Sequence, residues 1–141
     1  MKKPARQSSR SQWSRPDDPQ GAVDGVKNGS FGFHTDREAN PWWDVDLGAV
    51  YMLDRVIVYN RVDYGEEGAH RATPIAVWVS DDGVAFRQVV WNRSGPYGGA
   101  TGKPLDLAIG GTRARFVRLQ LNSTDYLHLD EVEVLGWIRE R

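Results

Sequence analysis

The stretch GSFGFHTDREANPWWDVDLG, residues 29–48, contains a single histidine, His34, followed by the adjacent Trp42 and Trp43. A neutral imidazole can donate a hydrogen bond to a hydroxyl group or accept one from it. Polar groups of this kind, held rigidly beside an apolar surface, can distinguish the hydroxyl pattern of a sugar. A binding role is therefore one hypothesis for His34, and capping of a turn is the alternative.

The sequence carries no recognisable catalytic pattern. It has no Gly-x-Ser-x-Gly, His-Glu-x-x-His or phosphate-binding loop. The three histidines are too scattered to indicate a zinc site, and zero cysteines exclude disulfides and thiolate ligands. A formal net charge of −1 supplies no long-range field for nucleic acid. We therefore expect a binding module, not an enzyme, with no nucleic-acid partner.

The elements that must position such side chains are predicted to be β-strands. Apolar residues alternate with a period of two in residues 54–59, 116–121 and 131–134, whereas residues 75–79 are apolar on both faces. Glycine and aspartate turn signals separate these runs. Because adjacent strand residues face opposite ways, one of Trp42 and Trp43 should pack in the core and the other cover an edge. The pattern predicts an all-β antiparallel sandwich.

The chain length of 141 residues suits one domain. We interpret residues 1–15 as a basic, polar, solvated arm and residues 16–141 as a single sandwich domain. Residues 7–40 carry few strand signals, and so long an irregular stretch is usually functional or held by something. The sequence shows no signal-peptide or membrane-spanning pattern. The sequence does not determine the compartment. A cytoplasmic protein is compatible with it, and so is a module excised from a longer chain.

Five segments in order give the chain a family resemblance. They are Ala22–Gly25, Asn40–Gly48, Val79–Gly83, Ala114–Leu119 and Glu131–Gly136. Together they resemble the AxDG, NPWWxVDLG, VSxDG, aRyvRl and EVEVyG segments of the discoidin superfamily, also called coagulation factor V/VIII type C domains. The resemblance implies a galactose-binding-like jelly-roll β-sandwich of eight strands with binding loops at one end.

Within that superfamily the chain is similar to the F-type lectins, which bind fucose. Their signature is a histidine, 26 residues, and then Arg-x-Asp; here His34 and Arg61 are separated by 61 − 34 − 1 = 26 residues, and Asp63 completes the motif. The segment Leu127–Val134 also resembles their LHLxEIEV ending. The next basic residue, Arg71, follows Asp63 after seven residues where the signature has four.

The similarity implies a pocket in which His34, Arg61 and Arg71 bind sugar hydroxyls. Guanidinium groups are always charged and present planar forks of donors, and Asp63 would hold Arg61 in place through a charge-assisted bond. Tyr64 stands where many members have adjacent cysteines, and it is a candidate apolar floor. Arg61 also has a plain structural alternative, a surface ion pair of little energetic value.

The F-type lectins also hold a calcium ion in the early loop, which implies a structural Ca²⁺ site here. By match, Asp24 and Glu131 would be side-chain ligands. Four further residues would contribute mainly backbone carbonyl groups: Gly21, Val26, Ser30 and Asp130. Calcium prefers six to eight hard oxygen ligands, which loops rich in carbonyl groups supply. Asp24 could instead be a turn former only.

Two further functions remain open at this point. One is a discoidin-type module of a larger protein that binds another sugar, such as galactose; the other is a protein-contact module. A lipid partner is disfavoured because residues 64–70 and 94–101 are polar or small apart from Tyr64, Tyr97 and Pro96. We expect a glycan ligand, with multiple copies, either in a larger protein or in an oligomer, adding avidity.

Overall fold

A computed structural model describes residues 3–12, 14, 20–23, 33–60, 75–92 and 105–137. The strands within these ranges are β1 Ala5–Gln7, β2 Phe33–His34, β3 Glu38–Ala39, β4 Trp42–Asn60, β5 Ile75–Ser80, β6 Arg87–Asn92, β7 Leu105–Leu121, β8 Thr124–Asp125 and β9 His128–Trp137. A single 3-10 turn spans Gln20–Val23. In the part of the chain that is described, no helix is long and apolar enough to cross a membrane.

Every pair among these nine described strands is antiparallel. The order β2-β9-β4-β7-β5-β6 forms the main sheet, in which β1 also pairs with β4, while β3 and β8 form a separate two-stranded sheet. The first part of β4, residues 42–46, pairs with residues 116–120 of β7, and residues 52–60 of β4 pair with β9. The β4–β7 register shifts between Asp46 and Tyr51, around Gly48 with its φ of 87°. The two long strands thus run through both layers of a β-sandwich, and the predicted all-β jelly-roll class is confirmed.

The period-two pattern of β4 places apolar side chains inside the sandwich. Trp43 is fully buried and stacks on Phe33 with ring centroids 5.6 Å apart, whereas Trp42 lies half-buried on the opposite face. This confirms the predicted division of the tryptophan pair. The buried core is completed from every long strand; among its largest members are Val45, Leu53, Val56, Val58, Ile75, Leu119, Leu121, Leu127 and Leu129. Each such side chain contributes about 1.5–3 kcal/mol on burial.

A buried carboxylate anchors the outer face of β4. Asp44 is 1% exposed and accepts hydrogen bonds from Arg6 (Nε to Oδ1, 3.0 Å) and from Arg118 (Nη2 to Oδ2, 3.0 Å). The guanidinium carbon of Arg118 lies 3.8 Å from the centre of the Trp42 ring and 3.9 Å from that of Phe86. Two charge partners and aromatic cover make burial of this carboxylate tolerable, because an unpaired buried charge is strongly destabilising.

The amino-terminal segment differs from the solvated arm that its composition suggested. Ala5–Gln7 forms β1, with Ala5 opposite Val45 and Gln7 opposite Trp43. Ala5 packs against the core, and Arg6 is one of the two arginines that bind Asp44. The physical reason is that the Arg6 side chain pairs with Asp44, a carboxylate that is buried on β4. Residues 5–7 therefore belong to the sandwich.

Candidate functional site

The first element of the candidate site is β2, whose two residues are both buried. β2 pairs with the start of β9, with Phe33 opposite Leu129 and His34 opposite His128. His34 is 2% exposed. Its ring centroid lies 5.0 Å from that of His128 and 5.4 Å from that of Tyr126, which meets it edge-on at 60°. Aromatic rings on two sides leave the imidazole little freedom to rotate.

Two oxygen atoms contact the imidazole of His34 at its Nδ1 atom. Nδ1 of His34 lies 2.8 Å from the carbonyl oxygen of Thr35 and 3.0 Å from Oγ of Ser11. Thr35 is itself fixed to the strand-like segment before β9. Its N–H donates to the carbonyl of Leu127 at 2.9 Å, and its Oγ1 accepts from the N–H of Leu127 at 2.9 Å. The Thr35 carbonyl that contacts Nδ1 therefore belongs to a residue held by two hydrogen bonds.

The backbone of His34 is also held, by the amino-terminal segment. Its carbonyl oxygen accepts from Oγ of Ser14 at 2.7 Å and from Nε2 of Gln7 at 3.2 Å. Ser14 Oγ in turn accepts the N–H of Ser11 at 2.8 Å. Sequence reasoning missed these serines, because hydroxyl groups in a polar, basic stretch give no periodic signal. The resemblance to the LHLxEIEV ending was the only signal near His128.

The structure describes one of the five predicted sugar-binding residues. His34 is described; Arg61, Asp63, Tyr64 and Arg71 lie outside the described residues. β4 ends at Asn60, the residue before Arg61 in the sequence, and Asn60 pairs with Leu129. Leu129 is the neighbour of His128, which faces His34. The end of β4 and the histidine of the signature thus lie at the same end of the sandwich.

The residues predicted to hold calcium are described in part. Gly21 is buried in the 3-10 turn, which packs against β9, and Asp130 and Glu131 are 5% and 4% exposed. Asp24, Val26 and Ser30 lie outside the described residues.

A β-bulge in β9 lies at the two buried acidic residues. Tyr59 pairs with Glu131 and the next residue, Asn60, pairs with Leu129, so β9 carries one extra residue at Asp130. A bulge redirects side chains and interrupts the ladder locally. Hard carboxylate oxygens beside a buried turn are the donor chemistry that Ca²⁺ takes. Within the described ranges alone, no group of three or more His, Cys, Asp or Glu residues could hold a metal ion.

Comparison with known proteins gives consistent similarities. The F5/8 type C domain family matches residues 4–132. A fucolectin of Anguilla anguilla is 31% identical over 127 residues, which cover 80% of this chain and 73% of the fucolectin.

Two solved structures share the fold closely. A fucose binding module of Streptococcus pneumoniae is 34% identical with a TM-score of 0.72, covering 95% of this chain and 91% of the module. The lectin domain of lectinolysin complexed with Lewis B antigen is 30% identical with a TM-score of 0.75, covering 95% of this chain and 92% of that domain.

Proposed function

Since the chain belongs to the F5/8 type C domain family, we propose that it is a carbohydrate-binding module of the F-type lectin kind that binds fucose or a fucosylated glycan. The observation that carries the proposal is the position of His34. It lies at the same end of the sandwich as Asn60, the residue that precedes Arg61 of the His-26-Arg-x-Asp signature. Three similar proteins are named for fucose binding or for a lectin–Lewis B complex.

In this proposal, different side chains bind different parts of the sugar. Arg61 and Arg71 donate hydrogen bonds from their guanidinium groups, and Asp63 orients Arg61. Tyr64 supplies an apolar surface for the C–H face of the sugar. Because His34 is 2% exposed, it can offer a sugar only a small part of its surface. A single sugar offers little area, so we expect modest affinity per site, increased by multivalent display.

A glycan array followed by calorimetry with a fucoside tests the proposal. We expect binding to fucosylated glycans that falls at least about tenfold in Arg61→Ala, since hydrogen bonds to charged groups contribute about 1.5–3 kcal/mol. Arg55→Ala is a matched control on β4, because Arg55 is 46% exposed and pairs with Asp106. Binding only to galactosides would favour the alternative sugar module. A folded protein that binds no glycan would contradict the proposal and favour protein contact.

We also propose that a structural calcium ion is held by Asp24 and the buried Glu131, with carbonyl groups of Gly21, Val26, Ser30 and Asp130. The supporting observation is the pair of buried carboxylates at the β9 bulge beside the 3-10 turn. A bound ion there would join the 3-10 turn to β9 through oxygen ligands from both.

Thermal unfolding with CaCl₂ or EDTA tests the calcium site. A ligand of the native state stabilises by about 2.7 kcal/mol at one hundred times its Kd. We expect calcium to raise the Tm of the wild-type chain and of Glu133→Gln, and to leave that of Glu131→Gln unchanged. Glu133 is a suitable control because it is nearby on β9 and accepts a hydrogen bond from Tyr59. A wild-type Tm indifferent to both additions would remove the site.

A further inference from the structure

We propose that the outer face of the β6–β5–β7 layer carries a second carbohydrate site, which takes one side of an uncharged sugar ring. The site is a hollow of about 100 Å³, called the outer hollow below. Its lining residues are Ala76, Trp78, Gln88, Gln120, Leu121 and Asn122. The outer hollow shares no residue with the proposed fucose pocket, so this site goes beyond the proposed function.

The alternation of β5 forms the floor and one wall of the outer hollow. Val77 and Val79 are fully buried in the core, so Ala76 and Trp78 point to the opposite, outward face of the sheet. Ala76 carries only a methyl group and is 3% exposed, which leaves a depression beside the half-buried indole of Trp78. The hollow therefore exists because a short side chain lies next to a large one on the same face.

Amide side chains from the neighbouring strands form the rim of this depression. Gln120 on β7 is the pairing partner of Ala76, and Gln88 on β6 is the partner of Trp78. Asn122 directly follows β7 and is exposed. Within the described part of the chain, none of these three amide side chains makes a hydrogen bond. Because an amide group both donates to and accepts from hydroxyl groups, the rim offers the polar contacts that a sugar requires.

The indole of Trp78 supplies the observation that points to a ligand. Its Nε1 atom is buried and has no hydrogen-bond partner among the described residues. A buried donor without an acceptor is destabilising, and few such groups persist in native proteins. The rim amides are not fixed by hydrogen bonds, so they can shift and let a ligand oxygen reach Nε1. A sugar hydroxyl in the outer hollow would thus satisfy a donor that the protein leaves unpaired.

The absence of charge in the lining indicates the class of ligand. All six lining residues are uncharged. Arg118 on β7 pairs with Trp78, but its guanidinium is bonded to Asp44 and lies 3.8 Å from the centre of the Trp42 ring. An ionic ligand would therefore lose its hydration without gaining a counter-charge. A neutral sugar finds an aromatic surface for its C–H face and amides for its hydroxyl groups.

The size of the outer hollow indicates how much of the ligand it holds. The volume exceeds the about 10–15 Å³ that one water molecule needs, and it is smaller than the about 300 Å³ of an enclosing ligand pocket. One side of a sugar ring fits, and the rest of the glycan stays in solvent. We expect weak binding because so little area is buried. A second site on the same chain would add avidity towards branched or repeating glycans.

Nitrogen-15 NMR of the indole groups tests the outer hollow in the intact chain. The chain has six tryptophans, and Trp78→Phe assigns the signal of Trp78. The ligands are the methyl glycosides of fucose, galactose, glucose and mannose, with glycerol as a polyol that has no ring. We expect at least one glycoside to shift the Trp78 signal saturably, in the wild type and in Arg61→Ala alike. A Trp78 signal that no glycoside moves, or that glycerol moves equally, would overturn the proposal.

Two substitutions and a matched control locate the binding in the outer hollow. Ala76→Leu fills the floor and should abolish the saturable shift of the indole signal. Ala108→Leu is the control, because Ala108 is exposed on β7 opposite Arg55 and does not line the hollow. Gln120→Ala should weaken binding about fivefold, the value of one ordinary hydrogen bond. Unchanged affinity in folded Ala76→Leu, or in Gln120→Ala should the first variant not fold, would overturn the site.

These outcomes separate the second site from the proposed fucose pocket. If calorimetry shows that Arg61→Ala loses fucoside binding while its Trp78 signal still responds to a sugar, both proposals stand. If no fucosylated glycan binds but the Trp78 signal responds to another sugar, only the proposed function fails. If fucosylated glycans bind and the Trp78 signal never responds, the function stands and only the second site is overturned.

Discussion

His34 and His128 face each other across the β2–β9 pair, with their ring centroids 5.0 Å apart. His128 is fully buried, so it supports the signature histidine from beneath without reaching solvent. A side chain that only supports a binding group affects affinity through the position of that group. Substitutions of His128 can therefore test the proposed site without changing a residue that is predicted to contact the ligand.

Truncation of His128 should weaken sugar binding. His128→Ala removes the ring on which His34 packs and leaves a cavity, which we expect to cost about 2–4 kcal/mol of unfolding free energy. The freed imidazole should lower fucoside affinity several-fold. His128→Leu, closer in volume, should retain more of both properties. Calorimetry and thermal unfolding measure the two effects, and wild-type affinity in a folded His128→Ala protein would contradict this view of the pair.

The two adjacent tryptophans should differ sharply in their contribution to stability. Trp43 is fully buried against Phe33, so Trp43→Ala should cost about 3–5 kcal/mol. Trp42 contacts the guanidinium of Arg118 on the other face, so Trp42→Ala should cost about 1 kcal/mol. Denaturant unfolding measures both, and Trp43→Phe keeps the comparison available should the alanine variant not fold. Equal losses would refute the assignment of faces.

Low pH should remove the contribution of the Asp46–Arg115 ion pair to the stability of the fold. Hydrogen bonds from Arg115 lower the pKa of Asp46 below its ordinary value of 3.8. A carboxylate with a lowered folded-state pKa stabilises above its unfolded pKa, and that stability is lost as the pH falls through the folded value. Asp46→Asn should therefore be less stable than wild type at pH 7, by about 0.5 kcal/mol because Arg115 is 42% exposed. The difference should begin to shrink as the pH falls towards 3.8 and should be lost as the pH falls through the lower pKa of the folded state.

Urea unfolding at pH 7, 5 and 3 measures that pH dependence. Asp54→Asn is a suitable control, because Asp54 is 52% exposed and its nearest arginine contact is 3.8 Å. A stability difference for Asp46→Asn that stays constant from pH 7 to pH 3 would show that the loss has another origin.

Two glycines with the same backbone conformation should respond differently to substitution. Gly83 has a φ of 78° and Gly111 a φ of 80°, a region that costs other residues about 1–2 kcal/mol. A Cβ atom at Gly83 would lie 2.9 Å from Cζ of Phe116, whereas one at Gly111 meets nothing within 4 Å. Gly83→Ala should therefore be more destabilising than Gly111→Ala by about 1–3 kcal/mol. Equal Tm losses would exclude the Phe116 contact as the cause.

The sequence was most informative where a local pattern determines the outcome. Alternation put Val56 and Val58 on the same face of a strand, and both are buried. Residues 75–79, apolar on both faces, form a strand with neighbours on both sides, β7 and β6. It did not show that β4 and β7 are each continuous through both layers, because that depends on partners far away in the chain. The bulge at Asp130 could not be predicted for the same reason, since a bulge is defined by the strand that pairs with it.

For the candidate site, motif spacing identified His34 but not the groups that hold it. Ser11 and Ser14 belong to a segment whose composition resembles solvated chain, and only the folded arrangement brings their hydroxyls to His34. The roles of Arg61 and Arg71 stay predictions, since both lie outside the described residues. Resemblance to a family thus singled out one predicted ligand residue, whereas the groups that hold it become evident only in the folded structure.

The pairing of β4 with β7 also bears on how fast the molecule reaches its native state. Trp43 pairs with Leu119, a separation of 119 − 43 = 76 residues, and Leu53 pairs with Thr112 across 112 − 53 = 59 residues. Long chain segments must be brought together before either pair forms, and that entropic cost comes ahead of any gain from packing. Refolding should consequently take on the order of milliseconds to seconds, orders of magnitude slower than a helical bundle of similar size.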